Sequence, residues 1–256
     1  MKYELFDGIL YQGDCIEQFK NINDKTINTV ITSPPYNIIR PNATDRGYDK
    51  YKDGITNEEY SKWTLDIFEE YNRVLKDDGV VLYNMSYGSE NTTCMSLTIS
   101  DIISKSNFIL ADIIVWKKKT ATPNNVSHNK LTRICEFIYV FCRKDEFGTF
   151  NTNKKVVNER ETGQKIYENK FNYLTAKNND ESTELNKATF STELVFKLLE
   201  LYSKKGDTIL DNFSGTGTTF KASVEYDCEF IGIELSKKQC EYTVKRMNKG
   251  VQLNIF

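Results

Sequence analysis

Short apolar, β-branched runs alternate with longer helix-like segments along most of this chain, and that alternation limits the folds open to it. Thr29–Thr32, Gly79–Tyr83, Ala111–Trp116, Phe137–Cys142, Thr208–Leu210 and Phe230–Ile233 read as strands. Asn57–Leu75, Tyr87–Ser104, Thr192–Ser203, Gly217–Glu225 and Lys237–Asn248 read as helices. Strands that are apolar on both faces must be covered on both faces. The pattern therefore predicts an α/β fold with a doubly wound, largely parallel sheet. The helix from Asn57 is capped by Thr56 or Asn57, and Glu58 and Glu59 in its first turn suit the helix dipole. It stops near Lys76-Asp77-Asp78-Gly79, a turn into the next strand.

At 256 residues the chain suits one such domain. We divide it into a catalytic half (1–143), a polar insertion (about 144–187) and a cofactor half (188–256). The insertion is rich in Asn, Lys, Glu and Thr and poor in aliphatic residues, so it reads as a long surface excursion. Arg40–Gly54, with Tyr48 and Tyr51 among charges, reads the same way.

No apolar run approaches the ~20 residues that span a membrane, and Met1-Lys2-Tyr3-Glu4 does not begin a secretory stretch. The six cysteines form no Cys-x-x-Cys pair, as expected of reduced thiols in a cytoplasmic protein. With a single histidine, His128, no zinc cluster or histidine triad is expected, and no metal. The net charge of −2 conceals an asymmetry: residues 117–170 hold twelve Lys and Arg against six Asp and Glu. A phosphate-binding face needs that kind of local excess.

Two strands run into chemically distinctive loops. The first, Thr29-Val30-Ile31-Thr32, enters Ser33-Pro34-Pro35-Tyr36-Asn37, which uses two of the chain's four prolines. Adjacent prolines fix φ and remove two backbone donors. They leave a rigid turn offering carbonyls, a hydroxyl and an aromatic ring. An exocyclic base amine could use such groups, because its lone pair is delocalised and it is a poor nucleophile. Acceptors on its hydrogens, Ser33 Oγ and the Pro34 carbonyl, favour a more electron-rich nitrogen, and Tyr36 offers a stacking face for a base turned out of a duplex. The second strand, Thr208-Ile209-Leu210, enters Asp211-Asn212-Phe213-Ser214-Gly215-Thr216-Gly217-Thr218 before a helix. Two glycines there permit close backbone approach to a ligand at a helix N-terminus. About twenty residues on, a strand ends in Glu234, placed to bind ribose hydroxyls. The arrangement fits an adenosine-bearing cofactor, either a nicotinamide dinucleotide or S-adenosylmethionine; Phe220 stands where a dinucleotide fingerprint would have its third glycine.

Together the two motifs make the sequence resemble the DNA amino-methyltransferases that modify cytosine N4 or adenine N6, in the permuted β-class order. The resemblance runs from Tyr11-Gln12-Gly13-Asp14-Cys15 to beyond Glu234. It implies a Rossmann-like class I methyltransferase fold using S-adenosylmethionine, with S-adenosylhomocysteine as product. Ser33, Pro34, Pro35 and Tyr36 would form the catalytic pocket. Asp14 and Cys15 would meet the cofactor adenine, Glu234 the ribose, and Asp211, Phe213, Gly215, Gly217 and Thr218 the methionine end. Asn37, Lys117, Lys118 and Arg133 would lie around the substrate, and the insertion takes the place of the target-recognition region. The implied partners are double-stranded DNA, a cognate restriction endonuclease and a second copy of the chain. Ser33, in place of Asp, leans the target toward cytosine N4, with adenine N6 as the alternative and an RNA or protein amine as a further one. One departure stands out: many members carry His-Pro and a further Pro before the helix at Thr192, whereas this chain has Asn186-Lys187-Ala188-Thr189-Phe190-Ser191.

Overall fold

The computed structural model describes residues 1–37, 54–86, 92–121, 123–150, 152–180 and 190–253. Among them eleven strands and six α-helices form: β1 (Lys2–Leu5), β2 (Gly8–Gln12), α1 (Cys15–Phe19), β3 (Ile27–Thr32), α2 (Asn57–Val74), β4 (Leu75–Asn84), α3 (Thr92–Lys105), β5 (Phe108–Lys118), β6 (Cys135–Arg143), β7 (Val156–Glu159), β8 (Lys165–Tyr167), β9 (Tyr173–Ala176), α4 (Thr192–Tyr202), β10 (Thr208–Asp211), α5 (Thr218–Glu225), β11 (Glu229–Glu234) and α6 (Lys237–Leu253). Nine strands form one sheet in the order β1-β2-β11-β10-β3-β4-β6-β5-β9. The run β2-β11-β10-β3-β4 is parallel throughout. β6 lies antiparallel between β4 and β5, and β1 pairs antiparallel with β2 at the far edge.

Alternate residues of the strands face two separate cores. Val30, Val81, Tyr83, Phe141 and Leu210 pack with α1, α2 and α3 on one face. Ile31, Leu82, Ile138, Val140 and Ile209 pack with α4 and α5 on the other. The helices α2 and α5, which follow β3 and β10, thus lie on opposite faces while the two strands are neighbours. That reversal opens a crevice at the carboxyl ends of β3 and β10, where doubly wound sheets bind ligands.

The expected α/β sheet is present, and several boundaries moved. β1 and β2 were missed, although Asp7-Gly8 between two short runs is a strong hairpin signal; Asp7 adopts φ 60° there. The polar insertion is more ordered than its composition suggests. Its β7 and β8 form a separate antiparallel ribbon, and β9 joins the main sheet beside β5, with Ala176 fully buried. Residues 38–53, most of the expected Arg40–Gly54 loop, lie outside the described residues, as do 87–91 at the expected start of α3 and 181–189 in the His-Pro-less stretch.

Candidate active site

The predicted residues assemble along one edge of the sheet, at the carboxyl ends of consecutive strands. β2 leads into Asp14, β11 ends at Glu234, β10 ends at Asp211, β3 leads into Ser33, and β4 ends at Asn84. From β2 to β3 is three strand spacings, about 14 Å at ~4.8 Å each.

Asp14 caps α1: its Oδ1 accepts from the Ile16 and Glu17 amides at 3.0 and 3.3 Å. Cys15 is buried behind it, and burial pushes its thiol up to about 12, so it is an inert wall and no nucleophile. Glu234 accepts from the Gly215 amide at 2.8 Å through one oxygen and from the Ser236 amide at 2.7 Å through the other. Gly217 stands at the N-cap of α5 with φ 79°. A Cβ there would come within 2.5 Å of Thr243 on α6, so glycine is required both by conformation and by close packing.

Asp211 ties the two motifs together. Its Oδ1 accepts from Thr32 Oγ1 at 2.7 Å, across 179 residues of chain, and from the Phe213 amide at 3.0 Å. Its Oδ2 accepts from Thr219 Oγ1 at 2.6 Å. The carboxyl is buried, and burial raises it to about 6, opposed only by those hydrogen bonds. Among the described residues no cation contributes to that shift, and the carboxyl stands buried beside the glycine loop. S-adenosylmethionine carries a sulfonium and an ammonium. The donor set and the charge at this loop fit it, with Asp14 and Glu234 along the same edge for adenine and ribose.

In the Ser33–Tyr36 turn the Tyr60 hydroxyl, from α2, donates to the Pro35 carbonyl at 2.7 Å. The Tyr36 hydroxyl donates to Asn84 Oδ1 at 3.1 Å, and Asn84 Nδ2 donates to the Phe137 carbonyl at 3.1 Å on the adjacent β6. Ser33 Oγ donates to the Tyr36 oxygen at a long 3.4 Å. The Ser33 hydroxyl hydrogen is thus turned toward Tyr36 and its lone pairs away from it. Asn84 was not anticipated from sequence, because an Asn at a strand end carries no signal of its own. Trp63 of α2 packs between Tyr60 and Phe213 with ring centroids 5.5 Å from each. It thereby braces both loops.

Two residues expected around the substrate are otherwise engaged. Asn37 is buried in a left-handed conformation. Its Nδ2 donates to the Ile55 carbonyl and its Oδ1 accepts from the Gly54 amide, both at 2.9 Å, which clamps together the ends of the 38–53 segment. Lys118 forms an ion pair with Glu136 and lies 5.2 Å from the Trp116 ring centroid, so its charge is neutralised locally. Lys117 and Arg133 are exposed on the catalytic edge. Arg246 of α6 donates to the Thr216 carbonyl at 3.1 Å and reaches Asp180 at 3.5 Å, while Asp180 accepts from the Thr192 amide at 2.9 Å. The glycine loop is therefore supported from the start of α4, where the prolines are missing.

A doubly wound sheet with an adenosine-type loop and a Ser-Pro-Pro-Tyr turn meeting at its switch point defines a nucleic-acid amine methyltransferase. Residues 27–245 match the family model described as DNA methylase, of the N6/N4 type, and the chain belongs to that family. It is a site-specific DNA amino-methyltransferase that uses S-adenosylmethionine. The Type II methyltransferase M.HinfI of Haemophilus influenzae is 26% identical over 264 residues, which cover 95% of this chain and 69% of that protein. Among solved structures, the cytosine-N4-specific PvuII DNA methyltransferase superposes with a TM-score of 0.72 at 19% identity, covering 98% of this chain and 92% of that one. M1.HpyAVI in complex with S-adenosylmethionine does so with a TM-score of 0.62 at 23% identity, covering 93% and 98%.

Proposed function

We propose that the chain methylates cytosine N4 in duplex DNA, on a base turned out of the helix into the pocket at Tyr36. The observation that carries this is the order of groups along the sheet edge: Asp14, Glu234, the Asp211–Thr218 loop, then Ser33–Tyr36 and Asn84. Bound S-adenosylmethionine supplies an electrophilic methyl group on a positive sulfur. Asp14 and Glu234 would hold its adenine and ribose, and Phe213, Gly215, Gly217 and Thr218 its methionine end. Asp211 would set the negative potential facing that end while bridging to Thr32. Ser33 Oγ and the Pro34 carbonyl would accept the hydrogens of the target amine, drawing its nitrogen toward a tetrahedral, nucleophilic shape. Pro35, held by Tyr60, keeps the turn rigid, and the Tyr36 ring stacks on the base. Direct transfer needs no protein nucleophile, in keeping with the buried, inert Cys15.

Cytosine is favoured over adenine because Ser, not Asp, precedes Pro-Pro-Tyr, and the PvuII enzyme, similar in fold, is cytosine-N4-specific. We further propose that it works in the cytoplasm, as a homodimer, paired with an endonuclease of the same site. The test is methyl transfer from labelled S-adenosylmethionine to unmodified duplex DNA, followed by nucleoside mass spectrometry. N4-methylcytosine is expected. N6-methyladenine would overturn the choice of base and leave the pocket chemistry standing, and label appearing only in RNA or protein would overturn the DNA substrate.

A further inference from the structure

The connection from β5 to β6 is sixteen residues long, from Lys119 to Ile134, and its described residues hold no helix or strand. Connections of that length inside a compact domain are uncommon and are usually either functional or linker segments. This one is rooted on the catalytic edge. The Lys118 amide donates to the Ile134 carbonyl at 2.8 Å, closing its base, and Thr120 exchanges hydrogen bonds with Asn178 after β9. Within it the Asn124 amide donates to Thr132 Oγ1 at 2.9 Å, so its two limbs are held together. β6, at its root, is the direct neighbour of β4, which ends at Asn84 under Tyr36. Two strand spacings, about 10 Å, therefore separate β3 from that root, roughly the radius of a DNA duplex.

The composition of the connection is unusual in two ways at once. Val126 and Leu131 are 94% and 89% exposed, the highest values among the exposed large hydrophobics of the described residues. From Ile113 to Cys135 there is no acidic residue; Lys118 and Lys119 are paired with Glu136 and Glu193, while Lys117, Lys130 and Arg133 fall in the same stretch. Aliphatic side chains held out in water among cations do not suit an apolar protein partner. They suit a polyanion with an apolar interior reached between its charges, which is what a DNA base stack offers.

We propose that this connection enters the duplex beside the target base pair, with Val126 and Leu131 pressing into the stack vacated by the flipped base. Lys130, with Lys117 at the root, holds the flanking phosphates. The inference rests on the reading that a base is turned out into the pocket at Tyr36, and it adds the element that makes the turned-out state stable. Extruding a base leaves a hole whose neighbours have lost their stacking partners. Filling that hole with aliphatic surface offsets the loss and slows the return of the base.

The test is the double variant Val126→Ser with Leu131→Ser, both at exposed positions. The DNA is a short duplex carrying the site mapped on methylated plasmid, either fully paired or with the target base opposite a mismatch. A mismatch removes most of the cost of extrusion in advance. The double variant should lose about 10- to 100-fold in kcat/KM on the paired duplex and no more than about 3-fold on the mismatched one. Its affinity for S-adenosylmethionine should be unchanged, which reports an intact fold. In a companion measurement, 2-aminopurine at the target position should brighten less with the variant than with the wild type. Equal losses on both duplexes, or no loss on either, would overturn the proposal. Failure of the wild-type protein to methylate any duplex would instead overturn the assignment of a flipped DNA base, and the wedge with it.

Discussion

At the scale of single residues, the Ser33–Tyr36 turn depends on a hydrogen-bond direction set outside the motif. Asn84 cannot reverse its amide without facing its NH2 toward the Tyr36 hydroxyl and its oxygen toward the Phe137 carbonyl. Its orientation therefore decides that the Tyr36 proton points away from Ser33, and that Ser33 donates to Tyr36. Asn84→Leu should lower kcat by about 10- to 100-fold, the range for losing a buried hydrogen bond and leaving its partner unsatisfied. Affinity for S-adenosylmethionine should stay constant. Tyr36→Phe breaks the same bond, so combining the two substitutions should cost little more than the worse of them alone. Fully additive losses in steady-state assays would show that Asn84 does not act through Tyr36. Asp211 makes a pH-dependent prediction. Its carboxyl titrates near 6 in the folded protein, against 3.8 for an ordinary Asp. A raised folded value means that its contribution to stability is complete below 3.8 and is lost as pH rises through about 6. Ionising it in the ligand-free protein therefore costs free energy, which a cationic ligand would return. Binding of S-adenosylmethionine at pH 6 should release about half a proton, measurable by calorimetry in buffers of different ionisation enthalpy, and Asp211→Asn should abolish the release. Unchanged proton release in that variant would mean that another group senses the cofactor.

At the scale of elements, α2 is the common brace of the site. Its capping box is formed by Thr56 and Glu59, as expected from Thr56 and the acidic first turn. Tyr60 then holds Pro35, Trp63 covers Phe213, and Tyr71 donates to Asn212 Oδ1 at 2.6 Å. The lower half is fixed by Phe68, whose ring meets Tyr71, Tyr83, Phe108 and Phe141 edge-on, with centroids 5.1 to 5.6 Å away. Its end is closed by Arg143 of β6, which donates to the carbonyls of Asn72, Leu75 and Lys76. Phe68→Ala should destabilise the protein by about 3–5 kcal/mol in denaturant unfolding. Tyr60→Phe, which keeps the ring, should cost little stability and mostly kcat. If Tyr60→Phe were as destabilising as Phe68→Ala, with kcat intact, α2 would be core alone and no brace. The helix itself was legible because its cap, its apolar period and its terminal turn agree with one another. The strands β3, β10 and β11 were legible as short β-branched or apolar runs. What could not be read were the elements whose stability comes from elsewhere: α1, a single short helix held by the Asp14 cap, and β9, a four-residue run within a polar stretch, recruited by pairing with β5. In the site, motif residues were identifiable because rare residue types occur together, two prolines or two glycines after a strand. Asn84, Tyr60 and Arg246 were not, because common residues gain their roles only from what the fold brings beside them.

At the scale of the whole molecule, the sheet edge is laid out in sequence: the proposed cofactor loops on β2, β11 and β10, the proposed base pocket on β3 and β4, and the basic connection between β5 and β6. The basic stretch 117–170, expected to form one DNA-facing surface, is divided by this topology. Lys117 and Lys130 lie on or beside the catalytic edge, at and beyond the carboxyl end of β5. The second part starts from the opposite edge. Lys144 Nζ donates to the Ser106 carbonyl just before β5, and Asn153 Nδ2 donates to the Ser203 carbonyl just before β10. Lys154 and Lys155 follow directly, leading into the β7–β8 ribbon. The 11 residues of β5, at about 3.3 Å each, put roughly 36 Å between the two edges, far beyond the Debye length of ~8 Å at physiological salt. Lysines on the two edges should therefore contribute differently to DNA binding. Each phosphate contact adds about 0.9 to the slope of log affinity against log salt. Lys117→Glu should reduce that slope by about one and weaken binding across unrelated sequences alike. Lys154→Glu with Lys155→Glu should leave it unchanged. Fluorescence anisotropy of a labelled duplex, titrated over a range of salt concentrations, separates the cases. Matching reductions from both sets would mean that the duplex spans the molecule from edge to edge, and that the polar insertion takes a direct share in holding its backbone.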